Sequence, residues 1–298
     1  MIPRLVRQIN KILFIAALAI MLVFTGCSAP AQTGAETAPE PTVTAKAPTP
    51  FTPRSTSTLE PTVDPFVGSS SRVEVLFFES SNYPKSITTR IYLPPGYDPD
   101  REKPYPVLLM LHGSYADGSQ WEDLGLLTVA DELITAGAIF PLVIVMPEEM
   151  YSMQSFNETS YGGVLVDELL PHLYREYNLC RDRNCTAIGG LSRGAAWAAR
   201  LAFTRWDIFG VAGLHSMPAS FLPLPEWIKA IPPESLPRLY MDIGIEDVGY
   251  KNAKEFDALL TRLEIPHDWV EQPGVHAEEY WSAHVQDYLR WYDKALEQ

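Results

Sequence analysis

Ser192 lies in the pentapeptide Gly190-Leu191-Ser192-Arg193-Gly194. Upstream, "TAIGG" is a short apolar run with the character of a buried strand; downstream, "RGAAWAARLAF" is Ala-rich with helical spacing. Strand, tight turn and helix in that order is what a serine nucleophile needs. The turn strains the serine and exposes its hydroxyl, and the flanking glycines let neighbouring backbone approach without a Cβ clash. A serine that only caps a strand-to-helix turn would also fit the pentapeptide, so its partners decide the matter.

A general base must come from six histidines. His276, in "PGVHAEEYW", follows the last strand-like run and lies C-terminal to Ser192, which fits the chain order serine, acid, histidine. His172 and His284 fall in helical patterns and His267 begins a strand, while His112 and His215 are alternatives at strand ends. For the acid, "YMDIGIEDVGY" offers Asp242, Glu246 and Asp247. Asp242 lies within the strand; Asp247 is in the loop after it, where a carboxylate can reach an imidazole, although a loop aspartate can equally cap the next helix. The run "VLLMLHGSYADGSQW" ends in a turn at His112-Gly113-Ser114. There the Ser114 backbone amide, with that of Arg193, could bind a developing oxyanion. With His276 as base, activity is expected to fall as pH drops through roughly 6 to 7. No cofactor is required, and no metal spacing such as CxxC or HExxH occurs.

These residues need a scaffold. Apolar or alternating runs occur at 73–80, 87–94, 106–113, 140–147, 185–190, 210–216, 238–244 and 267–274, with helical patterns at 123–137, 162–177, 193–204, 249–264 and 277–296. Alternating strands and helices predict an α/β fold with a mostly parallel sheet of about eight strands covered by helices on both faces. The first two strands have no helix between them and are expected as an antiparallel edge. In such sheets ligands bind beyond the carboxyl ends of the strands, which is where Ser192, Asp247 and His276 fall.

The 298 residues divide unevenly. Arg4, Arg7 and Lys11 precede the apolar run Ile12 to Phe24, which reads as an export signal. At 13 residues it reaches about 20 Å as a helix, short of the roughly 30 Å hydrocarbon core. Residues 28–70 are rich in Pro, Thr and Ala and bury almost nothing, so they are expected to be a disordered tether. Residues 71–298 form the globular domain. Without residues 1–27 the chain holds 20 basic and 37 acidic residues, a net −17, which disfavours nucleic acid as a partner. Cys180 and Cys185, in "NLCRDRNCTAIGG", either bridge to clip the turn feeding the Ser192 strand or stay reduced.

Two resemblances extend this reading. Phe24-Thr25-Gly26-Cys27 resembles a bacterial lipobox with Phe24 in place of the usual Leu; this implies a lipoprotein-type signal over residues 1–27 whose Cys27 is lipidated and becomes the mature N-terminus, and a lipoprotein held on the outer face of the cell membrane. "RIYLPPGYDPDREKPYPVLLMLHG", "DELLPHLYREYNL", "GGLSRGAAWAARLAF", "DIGIEDVGY" and "PGVHAEEYWSAHVQDYL" together resemble the esterase D family of α/β-hydrolases over residues 72 to 296. That family includes feruloyl and acetylxylan esterases, S-formylglutathione hydrolases, enterochelin esterases and mycolyltransferases. The resemblance implies an α/β-hydrolase fold and a Ser192, Asp247, His276 triad. Arg193 stands where the family often has Met, and Ala195 where a second Gly is common; Arg193 could bias substrate charge. Tyr115, Trp121, Tyr151, Phe156, Tyr161 and Trp227 are candidates to border the pocket, where aromatics suit sugar or aryl groups. The expected activity is extracellular hydrolysis of carboxylic esters through an acyl-enzyme, on a small-molecule or carbohydrate-linked substrate such as an acyl or feruloyl ester. The alternatives are an acyltransferase of mycolyltransferase type and a non-catalytic binding lipoprotein of the same fold.

Overall fold

The structure is a computed structural model that describes residues 70–296 apart from Tyr151, Met153, Glu158 and 219–223. The expected signal, the tether up to residue 69 and Cys27 lie outside the described residues.

Eight strands form one sheet: β1 (Arg72–Phe78), β2 (Ile87–Leu93), β3 (Val107–Leu111), β4 (Val143–Pro147), β5 (Thr186–Leu191), β6 (Val211–His215), β7 (Arg238–Gly244) and β8 (His267–Gln272). Their spatial order is β1-β2-β4-β3-β5-β6-β7-β8. β1 pairs antiparallel with β2 and β2 with β4; every later pairing is parallel. The helices are α1 (Gln120–Asp123), α2 (Leu126–Thr135), α3 (161–176, with a π-helical stretch at Leu165–Leu169), α4 (Arg193–Thr204), α5 (Leu224–Lys229), α6 (Tyr250–Arg262) and α7 (Glu278–Ala295).

Strand alternation assigns each face its helices. In β3, Val107, Leu109 and Leu111 join the core beneath α3, α4 and α6, whereas Leu108 and Met110 face the core beneath α2 and α7. All five β3 residues are buried, the signature of a central strand covered on both sides. The α7 face is held unusually close. Gly189 and Gly213 are register partners on β5 and β6, and a Cβ on them would lie 1.9 and 2.0 Å from the Tyr292 hydroxyl. Two glycines thus make the slot into which α7 inserts its tyrosine. Cys180 and Cys185 are disulfide-bonded, closing the short turn that leads into β5.

Candidate active site

β5 ends at Leu191 and α4 begins at Arg193, leaving Ser192 alone at the corner with φ 52° and ψ −117°. A left-handed conformation is costly for serine, and the surroundings hold it there. The Ser192 N–H donates to the His215 carbonyl at 2.9 Å, and its own carbonyl accepts from Ala196 N–H at 3.1 Å. The glycines supply the clearance: a Cβ on Gly190 would lie 2.5 Å from the Gly194 carbonyl carbon, and one on Gly194 only 2.2 Å from the Leu111 oxygen. The first turn of α4 can therefore close directly on β3 and β5.

The histidine and the acid arrive on two loops that are bonded to each other. Ile245 N–H donates to Gln272 O at 2.9 Å and Glu246 N–H to Gly274 O at 3.0 Å; Gly274 N–H returns a 2.6 Å bond to the Glu246 carboxylate. Between these loops His276 Nδ1 lies 2.7 Å from Asp247 Oδ2, and His276 Nε2 lies 2.9 Å from Ser192 Oγ. With the carboxylate ionised, Nδ1 carries the proton and donates to Asp247, which leaves Nε2 to accept from the serine hydroxyl. The second Asp247 oxygen accepts Gly249 N–H at 2.7 Å, so this aspartate holds both the imidazole and the turn ahead of α6. Trp281 packs its ring against His276 at 5.1 Å, nearly perpendicular, and anchors its indole N–H on Ser216 Oγ at 3.1 Å.

Asp242 and His215 belong to a different construction. His215 Nδ1 is 2.6 Å from Asp242 Oδ1, and the other Asp242 oxygen accepts from the Tyr280 and Tyr288 hydroxyls at 2.9 and 2.8 Å. Burial and the Asp242 charge raise both phenol pKa values, keeping them protonated as donors. This second Asp–His pair is buried, and its partners are tyrosines of α7. It fastens the helix that follows His276 to the sheet.

The turn after β3 comes beside the serine. A Cβ on Gly113 would lie 3.6 Å from Ser192 Cβ, and the Gly113 N–H is occupied by Gln120 Oε1 at 2.8 Å. The Ser114 amide follows it, and the Arg193 amide is the first of α4. Next to Ser114, Tyr115 is 55% exposed at φ 63°. Met150, Ile245, Val248 and Val275 are also exposed apolar side chains on the loops around the triad.

Two of the proposed pocket aromatics are corrected. Trp121 is fully buried, with its indole N–H on Leu111 O at 3.0 Å and its ring edge-on to His215; the short helix α1 turns it inward onto the α7 side of the sheet. Tyr161 is likewise buried, its hydroxyl on Pro147 O at 3.0 Å and its ring edge-on to Trp197. Both are core residues because each has a carbonyl within reach to satisfy its polar tip. Phe156 is half-buried, edge-on to Trp197 at 4.8 Å, and Trp227 on α5 is half-buried near the Arg200 guanidinium. Tyr151 lies outside the described residues.

The Arg193 side chain does not offer its charge to a substrate. Its Nε and an Nη donate to the two Glu149 oxygens at 2.7 and 2.6 Å, in a two-pronged pair whose side chains are 11% and 3% exposed. The Glu149 backbone N–H donates at 2.7 Å to His112 Nε2, while His112 Nδ1 donates to Gly113 O at 2.8 Å. Burial pushes the His112 pKa down, outweighing the bond to Gly113 O and the nearby Glu149, Asp117 and Glu148 carboxylates. Sequence reading missed Glu149, because nothing in "MPEEMY" distinguishes a buried ion-pair partner from a loop carboxylate.

Comparison with known proteins gives a family and a fold. A family model described as "Putative esterase" matches residues 80–292. An endo-1,4-beta-xylanase/feruloyl esterase of Xylanibacter ruminicola is 29% identical over 154 residues, which cover 48% of this chain and 21% of that protein; the match thus spans about a fifth of the relative's length. Among solved structures, a ferulic acid esterase superposes with TM-score 0.68 at 21% identity, covering 76% of this chain and 99% of the other. An S-formylglutathione hydrolase of Staphylococcus aureus superposes with TM-score 0.62 at 19% identity, covering 75% and 99%. The fold is that of the α/β-hydrolases.

Proposed function

This chain belongs to that esterase family, and from this premise we propose that it is an exported serine esterase that cleaves carboxylic esters through an acyl-enzyme. The observation that carries the reading is the unbroken relay from Asp247 through His276 to Ser192 at 2.7 and 2.9 Å, on a strained corner between β5 and α4.

The Ser192 oxygen attacks the acyl carbon as His276 Nε2 takes its proton, and Asp247 stabilises the imidazolium that forms. The Ser114 and Arg193 amides donate to the oxyanion. Collapse breaks the bond to the alcohol, which leaves with the proton from His276. Water, deprotonated by His276 in turn, attacks the acyl-enzyme and releases the carboxylic acid. The apolar border of Tyr115, Met150, Ile245, Val248 and Val275, with the Arg193 charge already paired, suits an uncharged acyl or aryl ester. Feruloyl or other acyl groups on carbohydrate fit that description, and feruloyl or ferulic acid esterase is the activity that these relatives' names print.

Hydrolysis of p-nitrophenyl acetate and methyl ferulate, compared with Ser192→Ala, tests the reading. Loss of at least about 10³-fold in a folded variant is expected; equal rates in both proteins would refute it. Export rests on the Arg4-to-Cys27 segment alone. Radiolabelled palmitate should enter the wild-type chain and not Cys27→Ala, and label in both would remove the lipid anchor from the proposal.

A further inference from the structure

Three connections at the carboxyl end of the sheet meet through one closed chain of bonds. From the Ser192 corner, the Arg193 guanidinium grips the Glu149 carboxylate with two N–H groups and donates a third bond to Gln154 O at 2.8 Å. The same guanidinium lies over the Phe156 ring, 4.4 Å from its centroid. The Glu149 N–H binds His112, which precedes the Gly113-Ser114 turn, and Ser152 Oγ accepts from the N–H of Tyr115 at 3.4 Å. On the far side, Arg200 of α4 donates to Asn157 Oδ1 at 2.9 Å. Glu149, Gln154 and Phe156, which lie between β4 and α3, thus share one side chain, whose own backbone amide is the proposed oxyanion donor.

We propose that Arg193 is a positioning and specificity-determining residue: through Glu149, Gln154 and Phe156 it fixes the wall of the acyl-binding site and locks that wall to the oxyanion turn. This rests on the esterase reading above. A cation at the first position of a helix is electrostatically unfavourable, and Glu149 offsets it. Guanidinium is also the one basic group that can serve a carboxylate with two bonds, a carbonyl and an aromatic face together. The wall should therefore matter most for esters large enough to touch it, and least for acetate.

Arg193→Met, Arg193→Lys, Glu149→Gln and the Arg193→Met/Glu149→Gln double variant test this, with KM and kcat measured for methyl ferulate and p-nitrophenyl acetate. For Arg193→Met, KM for the ferulate ester is expected to rise about tenfold or more, the scale of effect that a misplaced binding wall produces, with a smaller rise for the acetate. Arg193→Lys, which keeps the charge and loses the fork, should fall between. Thermal unfolding gives a readout independent of any substrate. Arg193→Met alone should melt lowest, because it strands a buried carboxylate, and the double variant should recover much of that loss. Equal changes for both esters, or a double variant that melts no higher than Arg193→Met, would overturn the proposal. A wild type without esterase turnover would remove the underlying reading and the proposal together, whereas active wild type with unchanged Arg193→Met kinetics would remove the proposal alone.

Discussion

Replacing Asp247 with Asn separates the triad from every other use of an aspartate in this fold. Asp247 offers two acceptor oxygens to two donors, Gly249 N–H and His276 Nδ1–H, each at 2.7 Å. A carboxamide has one acceptor oxygen. If that oxygen keeps Gly249, the amide NH2 faces His276 Nδ1, and the ring must become an acceptor there by moving its proton to Nε2. Nε2 then has no lone pair for the Ser192 hydroxyl 2.9 Å away, and the base is lost although no heavy atom has moved. A triad held in the wrong tautomer in this way loses about 10⁴ in kcat, roughly 5.4 kcal/mol of transition-state stabilisation at 1.36 kcal/mol per decade. Steady-state hydrolysis of p-nitrophenyl acetate by the full chain, with circular dichroism to confirm folding, measures it. Asp242→Asn is the control: it disturbs the buried bonds to His215, Tyr280 and Tyr288, so it should lower the melting temperature while the folded fraction keeps most of its kcat. If Asp247→Asn stays within about threefold of wild type, or if Asp242→Asn loses turnover as severely, the assignment of acid and structural aspartate is wrong.

Two further outcomes follow from the packing. His112 is buried with its pKa below the ordinary 6.5, so the unfolded chain takes up the proton first; its contribution to stability is complete above that value and is lost as pH falls below it toward the lowered native value. Wild type should therefore lose melting temperature between pH 7 and pH 5, and His112→Asn, less stable throughout, should show a fall at least about 2 °C smaller; parallel curves would contradict this. Gly189→Ala forces a methyl to within 1.9 Å of the Tyr292 hydroxyl and should cost about 1–3 kcal/mol in urea unfolding, with less than additive loss when combined with Tyr292→Phe.

Much of this protein is legible in its residues. All eight strands and the five longer helices fall where the periodicity places them, because the central strands are continuously apolar and the helices amphipathic, patterns that local spacing alone reveals. Ser192 was identifiable because its glycines serve a local turn, and His276 and Asp247 because parallel topology sends the loops after successive strands to one end of the sheet. Tertiary structure decided what spacing cannot encode. Trp121 and Tyr161 went to the core rather than the pocket because the carbonyls that end β3 and β4, at Leu111 and Pro147, met their polar tips. His215 found Asp242 across two neighbouring strands, while His276 found Asp247 across two bonded loops. The charge of Arg193 was absorbed by Glu149, 44 residues earlier in the chain. Sequence specifies which groups reach the carboxyl edge of the sheet; only the packed fold, where a buried charge must find its partner, specifies which of them remain available for chemistry.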